Sequence, residues 1–202
     1  MNQIDMTIYI NLSCRTDKRD HIENELTKYG LPFERYDAFE YPDFRAYGCA
    51  MSHLGVLKQA RNSGYKNVLI MEDDFVFSLS KEAIEQQLTE MFTFNPDFDV
   101  CMLSYNLQHS SETDNPNIYK ILEAQSGAGY IVQQHYYDKL ISIFENANKL
   151  LLETREHWLY MNDQIWKPLQ LTDNWYCFKD RSGHQLPGFS DISQFYKTND
   201  DW

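Results

Sequence analysis

Apolar and polar positions in the first third of the chain switch between two periods, and each switch marks an element. Residues 7–12, TIYINL, form a short β-branched and apolar run that predicts a strand. Ile22, Leu26 and Tyr29 then recur at helical spacing behind Asp17, a capping residue type, and Gly30 supplies a stop. FERYDAF, residues 33–39, alternates like a strand. A second helix over 47–63 puts Ala50, Leu54, Leu57 and the stem of Arg61 on one face and closes at Gly64. NVLIM, residues 67–71, follows as a buried strand. The order strand, helix, strand, helix, strand predicts an α/β fold, a mostly parallel sheet flanked by helices.

Further along, Ser80 caps a helix running to about Phe94, with Ile84, Leu88 and Met91 facing inward. DVCMLS, residues 99–104, predicts another strand, and the polar, turn-rich stretch 105–117 predicts a surface loop. Short strands are expected at 119–123 and 128–133, then a helix over 135–148. Beyond Glu153 the pattern weakens to a short helix near 157–167, a strand at 174–179 and an irregular tail. Neither repeats nor a linker composition interrupt the 202 residues, which predicts one domain with a substantial core.

Ligands of open parallel sheets collect beyond the carboxyl ends of the strands. Two segments fall at such ends, 11–19 and 72–74, and so are expected to face a common crevice. The helix starting near Asp17 adds backbone N–H groups and a positive dipole end suited to a phosphate.

Charge narrows the function. A formal net charge of -12 argues against nucleic acid as a partner, because a phosphate backbone needs a basic track. An anionic ligand stays compatible with that charge if a divalent cation neutralises it. Three adjacent carboxylates, Glu72, Asp73 and Asp74, end the buried strand and would suit a hard cation such as Mg²⁺ or Mn²⁺. The competing reading is that they cap the next segment or stand solvated. Four widely separated cysteines show no zinc spacing and read as reduced thiols. The amino-terminal MNQIDMTIYINLS has no signal-peptide pattern, and no run is long enough to span a bilayer. The expectation is a cytoplasmic protein, soluble or peripheral to a membrane.

Four segments together resemble a known family: YINLSCRTDKRDHIENEL (9–26), GCAMSHLGVLKQARNSGYKNVLIMEDDFVF (48–77), SGAGYIVQQHYYDKLI (126–141) and QLPGFSDI (185–192). They are similar, in order, to motifs of family 25 glycosyltransferases, enzymes of lipooligosaccharide chain extension and collagen hydroxylysine glycosylation. The resemblance implies a GT-A type α/β fold, a UDP-hexose donor, metal dependence and inversion at the anomeric carbon. It also implies a nucleotide-sugar half over 1–104 and an acceptor-side half over 105–202.

By the same resemblance, Asp74 ligates the metal (Mn²⁺ or Mg²⁺), with Glu72 acting directly or through water and His184 a late addition. Asn11, Arg15, Arg19, Asp37, Ser52, His53 and Asp73 fall to the donor nucleotide, and Ser190 and Asp191 to a tail folding over the site. Asp163 is the candidate base for the acceptor hydroxyl. Bland alternatives stand beside these: a solvated helix start for Arg19, a turn for Asp37, a packed helix histidine for His53, an exposed loop for His184. Trp158, Trp166 and Trp175 could stack on sugar faces, with core packing expected for at least two. The functional expectation is a metal-dependent inverting transferase moving galactose or glucose from a UDP-sugar to a glycan or hydroxylysine-type protein acceptor. The alternatives are a non-catalytic nucleotide-sugar- or glycan-binding relative and a plain calcium-binding domain.

Overall fold

The structure, a computed structural model, describes residues 2–189 and 196–197. Strand β1 (Met6–Asn11) is buried from Thr7 onward. Its Ile8 and Ile10 enter one core layer and Tyr9 the opposite one, as the twofold period of a strand requires. Helix α1 (Thr16–Tyr29) buries Ile22, Leu26 and Tyr29. It stops at Gly30, whose φ of 69° places it in the left-handed region, and the Gly30 N–H donates to the Leu26 and Thr27 carbonyls. After β2 (Phe33–Asp37), helix α2 (Arg45–Ser63) ends the same way at Gly64. Strand β3 (Asn67–Glu72) leads to the short β4 (Phe75–Phe77), and α3 (Lys81–Phe94) is capped by Ser80 Oγ, which accepts the Ala83 N–H at 3.3 Å.

Strands β5 (Val100–Met102), β6 (Asn106–Glu112), β7 (Ile118–Gln125) and β8 (Gly129–Gln133) follow. A 3-10 turn then opens α4 (Tyr137–Thr154). Three short helices, α5 (His157–Tyr160), α6 (Asn162–Ile165) and α7 (Lys167–Thr172), lead to β9 (Trp175–Phe178). The last described strands are β10 (Gly183–Gln185), β11 (Gly188–Phe189) and β12 (Tyr196–Lys197).

One eight-stranded sheet, ordered β2-β1-β3-β8-β5-β9-β7-β6, carries the fold. Leu54, Leu57, Leu140, Phe144 and Trp166 cover one face, and Leu26, Ile84, Leu88 and Met91 the other. Each fully buried Leu, Ile or Phe among them stabilises the fold by roughly 1.5–3 kcal/mol relative to exposure. Among the described residues no helix is long and apolar enough to cross a membrane.

The parallel pairing expected for the first three strands holds for β1 with β2 and β1 with β3. The whole sheet is mixed, because β8 enters antiparallel between β3 and β5 and β7 pairs antiparallel with both β9 and β6. The expected loop at 105–117 is in large part the edge strand β6. An edge strand with both faces largely in water needs no apolar alternation, and its polar residues guard the open edge. The expected helix over 157–167 breaks at Met161, whose ψ of 155° is extended. The tail is not wholly irregular: β10 pairs antiparallel with β4, setting Gln185 opposite Phe75.

Candidate functional site

Parallel register brings three strand ends to one edge of the sheet. Asn11 pairs with Asp37 across β1 and β2, and Ile10 pairs with Glu72 across β1 and β3. The turn 126–128 joins them, since the Glu72 N–H donates to the Ala128 carbonyl at 2.9 Å. Ser126 in that turn adopts a φ of 84°, which is uncommon outside glycine. Around this edge lies a cleft of about 930 Å³, lined by the start of α1, the turn 38–42, α2, the acidic tip of β3, α5 and α6, and residues 185–188.

The acidic tip carries a cation of the chain's own. Lys18, on the first turn of α1, sets its Nζ 2.9 Å from Asp74 Oδ2 and 3.4 Å from Asp73 Oδ1. Burial works against the Lys18 charge, but Asp74 and Asp73 outweigh it and the pKa rises. Asp73 goes the other way from an ordinary salt-bridged carboxylate. Burial pushes it up from 3.8 to about 6; Lys18 pulls down, while Asp74 and Glu72 add to the rise. Asn11, itself buried, donates from Nδ2 to Asp73 Oδ2 at 2.7 Å and so ties the tip of β1 to that of β3.

Glu72 and Asp74 converge on one point. The Gln185 amide donates to Glu72 Oε2 at 2.7 Å and to Asp74 Oδ1 at 3.1 Å. Two carboxylate oxygens aimed at one neutral, side-chain-borne group match what an oxygen-seeking divalent cation needs, and an amide is readily displaced. The donor set therefore fits Mn²⁺ or Mg²⁺. His184, expected as a further ligand, is not brought there. It precedes Gln185 on β10, so it faces the other way and its Nδ1 meets Ser78 Oγ at 2.8 Å.

The nucleotide candidates separate. Arg15 lines the cleft and grips Asp17 with two bonds, Nε to Oδ1 at 3.0 Å and Nη2 to Oδ2 at 2.8 Å. Those bonds hold the Asp17 carboxyl down at about 2. Arg19 is outside the cleft lining and pairs with Glu23 at 3.0 Å along the outer face of α1. Asp37 is likewise outside, exposed and paired with Arg35 at 2.6 Å. Both follow from position: Arg19 lies a helical turn beyond Arg15, and Asp37 ends a strand whose next residues turn into the cleft.

Ser52 and His53 border the cleft but are buried and engaged. Ser52 Oγ donates to the Gly48 carbonyl at 2.8 Å and accepts the Phe39 N–H at 2.8 Å, which fixes the turn 38–42. His53 Nδ1 meets the Tyr130 hydroxyl at 2.9 Å and its Nε2 faces Glu72 Oε1 at 3.4 Å. Ser190 and Asp191 lie outside the described residues.

Asp163 lines the same cleft from α6. Its Oδ2 accepts the Ser126 N–H at 3.4 Å and its Oδ1 the Gln164 amide at 3.4 Å. Burial raises its pKa; those two bonds lower it, Glu72 raises it further, and the net direction is upward. Trp158 stands at the rim, 59% exposed, whereas Trp166 and Trp175 are wholly buried in the core. Lys18 and Gln185 are cleft residues that the sequence does not single out as site residues. Lys18 lay inside the basic group at 15–19 and Gln185 opened the QLPGFSDI segment, so each was marked only by its neighbours.

A family model described as "Glycosyltransferase family 25 (LPS biosynthesis protein)" matches residues 44–158. No curated protein matches the chain in sequence. Among solved structures, the chain is similar to a glycosyltransferase involved in the glycosylation of the major capsid of PBCV-1. That likeness has a TM-score of 0.54 at 9% identity and covers 94% of this chain and 95% of that one. It is similar to a UDP-glucose pyrophosphorylase complexed with UDP-glucose, with a TM-score of 0.54 at 8% identity over 91% of this chain and 92% of that one. It is also similar to the glycosyltransferase GlyE of Streptococcus pneumoniae TIGR4, with a TM-score of 0.52 at 10% identity over 88% of this chain and 45% of that one. At these identities the likeness is one of fold.

Proposed function

Because the chain belongs to glycosyltransferase family 25 and carries the GT-A type α/β fold, we propose that it moves a hexose, galactose or glucose, from a UDP donor to an acceptor hydroxyl. The acceptor is a glycan or a hydroxylysine-type protein side chain, and the anomeric carbon inverts. The observation that carries this reading is one shared cleft. It is lined by Glu72, Asp73, Asp74, Lys18, Arg15, Asp163 and Trp158; in this reading the first five, within residues 1–104, take the donor, and Asp163 with Trp158, within 105–202, the acceptor.

In a single displacement, the acceptor oxygen bonds to C1 of the hexose as the bond from C1 to the diphosphate oxygen breaks. The electron pair of the broken bond leaves with UDP, and the acceptor's hydroxyl proton passes to the Asp163 carboxylate. Burial suits Asp163 to that role, because a raised pKa makes a carboxylate a better proton acceptor near neutral pH. Arg15 and Lys18 offset charge on the diphosphate, the guanidinium by paired bonds and the ammonium as a point charge. When held by Glu72 and Asp74, Mn²⁺ or Mg²⁺ supplies Lewis-acid neutralisation of the same diphosphate.

The experiment is a screen for UDP release across nucleotide sugars with Mn²⁺ and a panel of glycan and hydroxylysine acceptors. Release with one UDP-hexose, abolished by chelation, by Asp74→Ala and by Asp163→Asn, is the expected result. Undiminished turnover in Asp163→Asn overturns the base, and undiminished turnover in Asp74→Ala overturns the metal assignment. Failure to bind UDP overturns the donor class.

A further inference from the structure

Cys49 and His53 stand one turn apart on α2, and the tip of β3 brings Glu72 against them. The Cys49 sulfur, a His53 ring nitrogen and a Glu72 carboxylate oxygen all lie within 4.8 Å of one another. His53 Nε2 and Glu72 Oε1 are 3.4 Å apart. Nitrogen and oxygen ligands at their usual distances from a tetrahedral zinc stand about 3.3 Å from each other. That pair is already at chelating separation.

Three further features suit an ion here. The His53 Nδ1 is taken up by the Tyr130 hydroxyl at 2.9 Å, which orients the ring and leaves Nε2 toward the cluster. Residue 127 is glycine: a Cβ there would meet His53 Cε1 at 3.3 Å, Nε2 at 3.6 Å and Glu72 Oε1 at 3.8 Å. Its absence leaves the cluster open toward the cleft, which Gly127, Cys49, His53 and Glu72 all line. The donor chemistry also differs from that of the neighbouring pair. Sulfur, imidazole and one carboxylate favour a thiophilic ion, whereas Glu72 with Asp74 offers oxygen alone.

We propose that Cys49, His53 and Glu72 form a three-ligand site for a thiophilic divalent ion of the zinc class, with its fourth position open to the cleft. On binding, the Cys49 thiol loses its proton to water and the thiolate supplies the electron pair to the ion; nothing is oxidised or reduced. Glu72 serves two neighbours, Oε1 toward this site and Oε2 on the Gln185 amide at 2.7 Å. The site shares Glu72 with the oxygen pair proposed for Mn²⁺ or Mg²⁺, but the thiolate band of its test reports Cys49, which that pair does not use.

The test is titration of the reduced, metal-free protein with Co²⁺, followed by displacement with Zn²⁺. One equivalent of Co²⁺ is expected to give a thiolate-to-cobalt charge-transfer band in the near ultraviolet, bleached by Zn²⁺. Cys49→Ser should lose the band, while Cys14→Ser, which removes the exposed thiol of the same cleft, should keep it. Tyr130→Phe should retain the band with affinity lowered about 10- to 100-fold. Glu72→Gln keeps the thiol and should weaken Zn²⁺ binding at least about tenfold, which covers a Cys49→Ser protein that does not fold. No band in the parent, a band surviving Cys49→Ser, a band lost in Cys14→Ser, or unchanged Zn²⁺ affinity in Glu72→Gln would each overturn the site.

Discussion

The Lys18 ammonium sits between Asp73 and Asp74, 2.9 Å from the nearer Asp74 oxygen, so α1 answers the charge that β3 concentrates at its tip. Removing it leaves neighbouring like charges half out of water. Lys18→Met should destabilise the fold by about 1–2 kcal/mol, less than a fully buried pair would cost, because the Lys18 side chain is 22% exposed and partly screened. Mn²⁺ should then raise the melting temperature of Lys18→Met more than that of the parent, since a bound cation replaces the missing charge. Thermal unfolding with and without Mn²⁺ measures the difference. Equal increments in the two proteins would place the metal elsewhere.

Asp163 should set opposite demands on stability and rate. Its pKa is raised in the fold, chiefly by burial, so between the ordinary carboxylate value and the folded one the native state holds the proton and the unfolded chain does not. Its contribution to stability is therefore greatest at low pH and declines as pH rises through the folded pKa. Transfer needs the ionised carboxylate and follows the reverse course, with kcat falling as pH drops through that same value. Asp163→Asn should lower kcat about 10²- to 10⁴-fold and leave a more stable protein at neutral pH. A melting temperature reduced by the substitution would contradict the buried-carboxylate account.

Strands β1 and β3 and helices α1, α2 and α3 are legible because each buries a stripe or a face, as Ile22, Leu26 and Tyr29 do on α1. The edge strand β6 is not, since it pairs with β7 alone and none of its own side chains is fully buried. The same distinction runs through the site. Glu72–Asp74 stood out as charge at the end of an apolar run, whereas Gln185 is an uncharged residue whose importance arises only when β10 pairs with β4. His184 and Gln185 are adjacent in sequence, and only strand pairing decides which of the two meets the carboxylates. Arg15 and Arg19 look equivalent as residue types, but one faces the cleft and the other Glu23.

Ser52 is expected to matter for architecture. Its hydroxyl is buried and holds the Phe39 backbone to the Gly48 carbonyl, where a Cβ on residue 48 would stand only 2.6 Å from the Phe39 oxygen. Ser52→Ala leaves the Phe39 N–H without that acceptor and should cost about 1–3 kcal/mol. Gly48→Ala should cost a similar amount by forcing the turn away from α2. Denaturant unfolding reads both. For Ser52→Ala, UDP affinity measured by calorimetry at a temperature where the variant is folded should change less than twofold, about 0.4 kcal/mol. A tenfold loss of affinity with unchanged stability would return Ser52 to the nucleotide.

Of Trp158, Trp166 and Trp175, only Trp158 lines the cleft. It is 59% exposed at the cleft rim, beside His157, with ring centroids 5.1 Å apart, whereas Trp166 and Trp175 pack edge to face inside the core. An exposed indole has little burial to lose, so Trp158→Ala should leave the unfolding midpoint unchanged. An aromatic contact is worth about 0.5–1.5 kcal/mol beyond area burial, which corresponds to roughly a 2- to 10-fold rise in KM for the acceptor. The KM for the UDP-sugar should stay constant, because the nucleotide candidates Arg15 and Lys18 belong to a different element, α1 and its approach, from Trp158 on α5. Steady-state kinetics varying each substrate in turn separates the two. A rise confined to the donor's KM would move Trp158 to the nucleotide side, and no change in either would make it an ordinary surface residue.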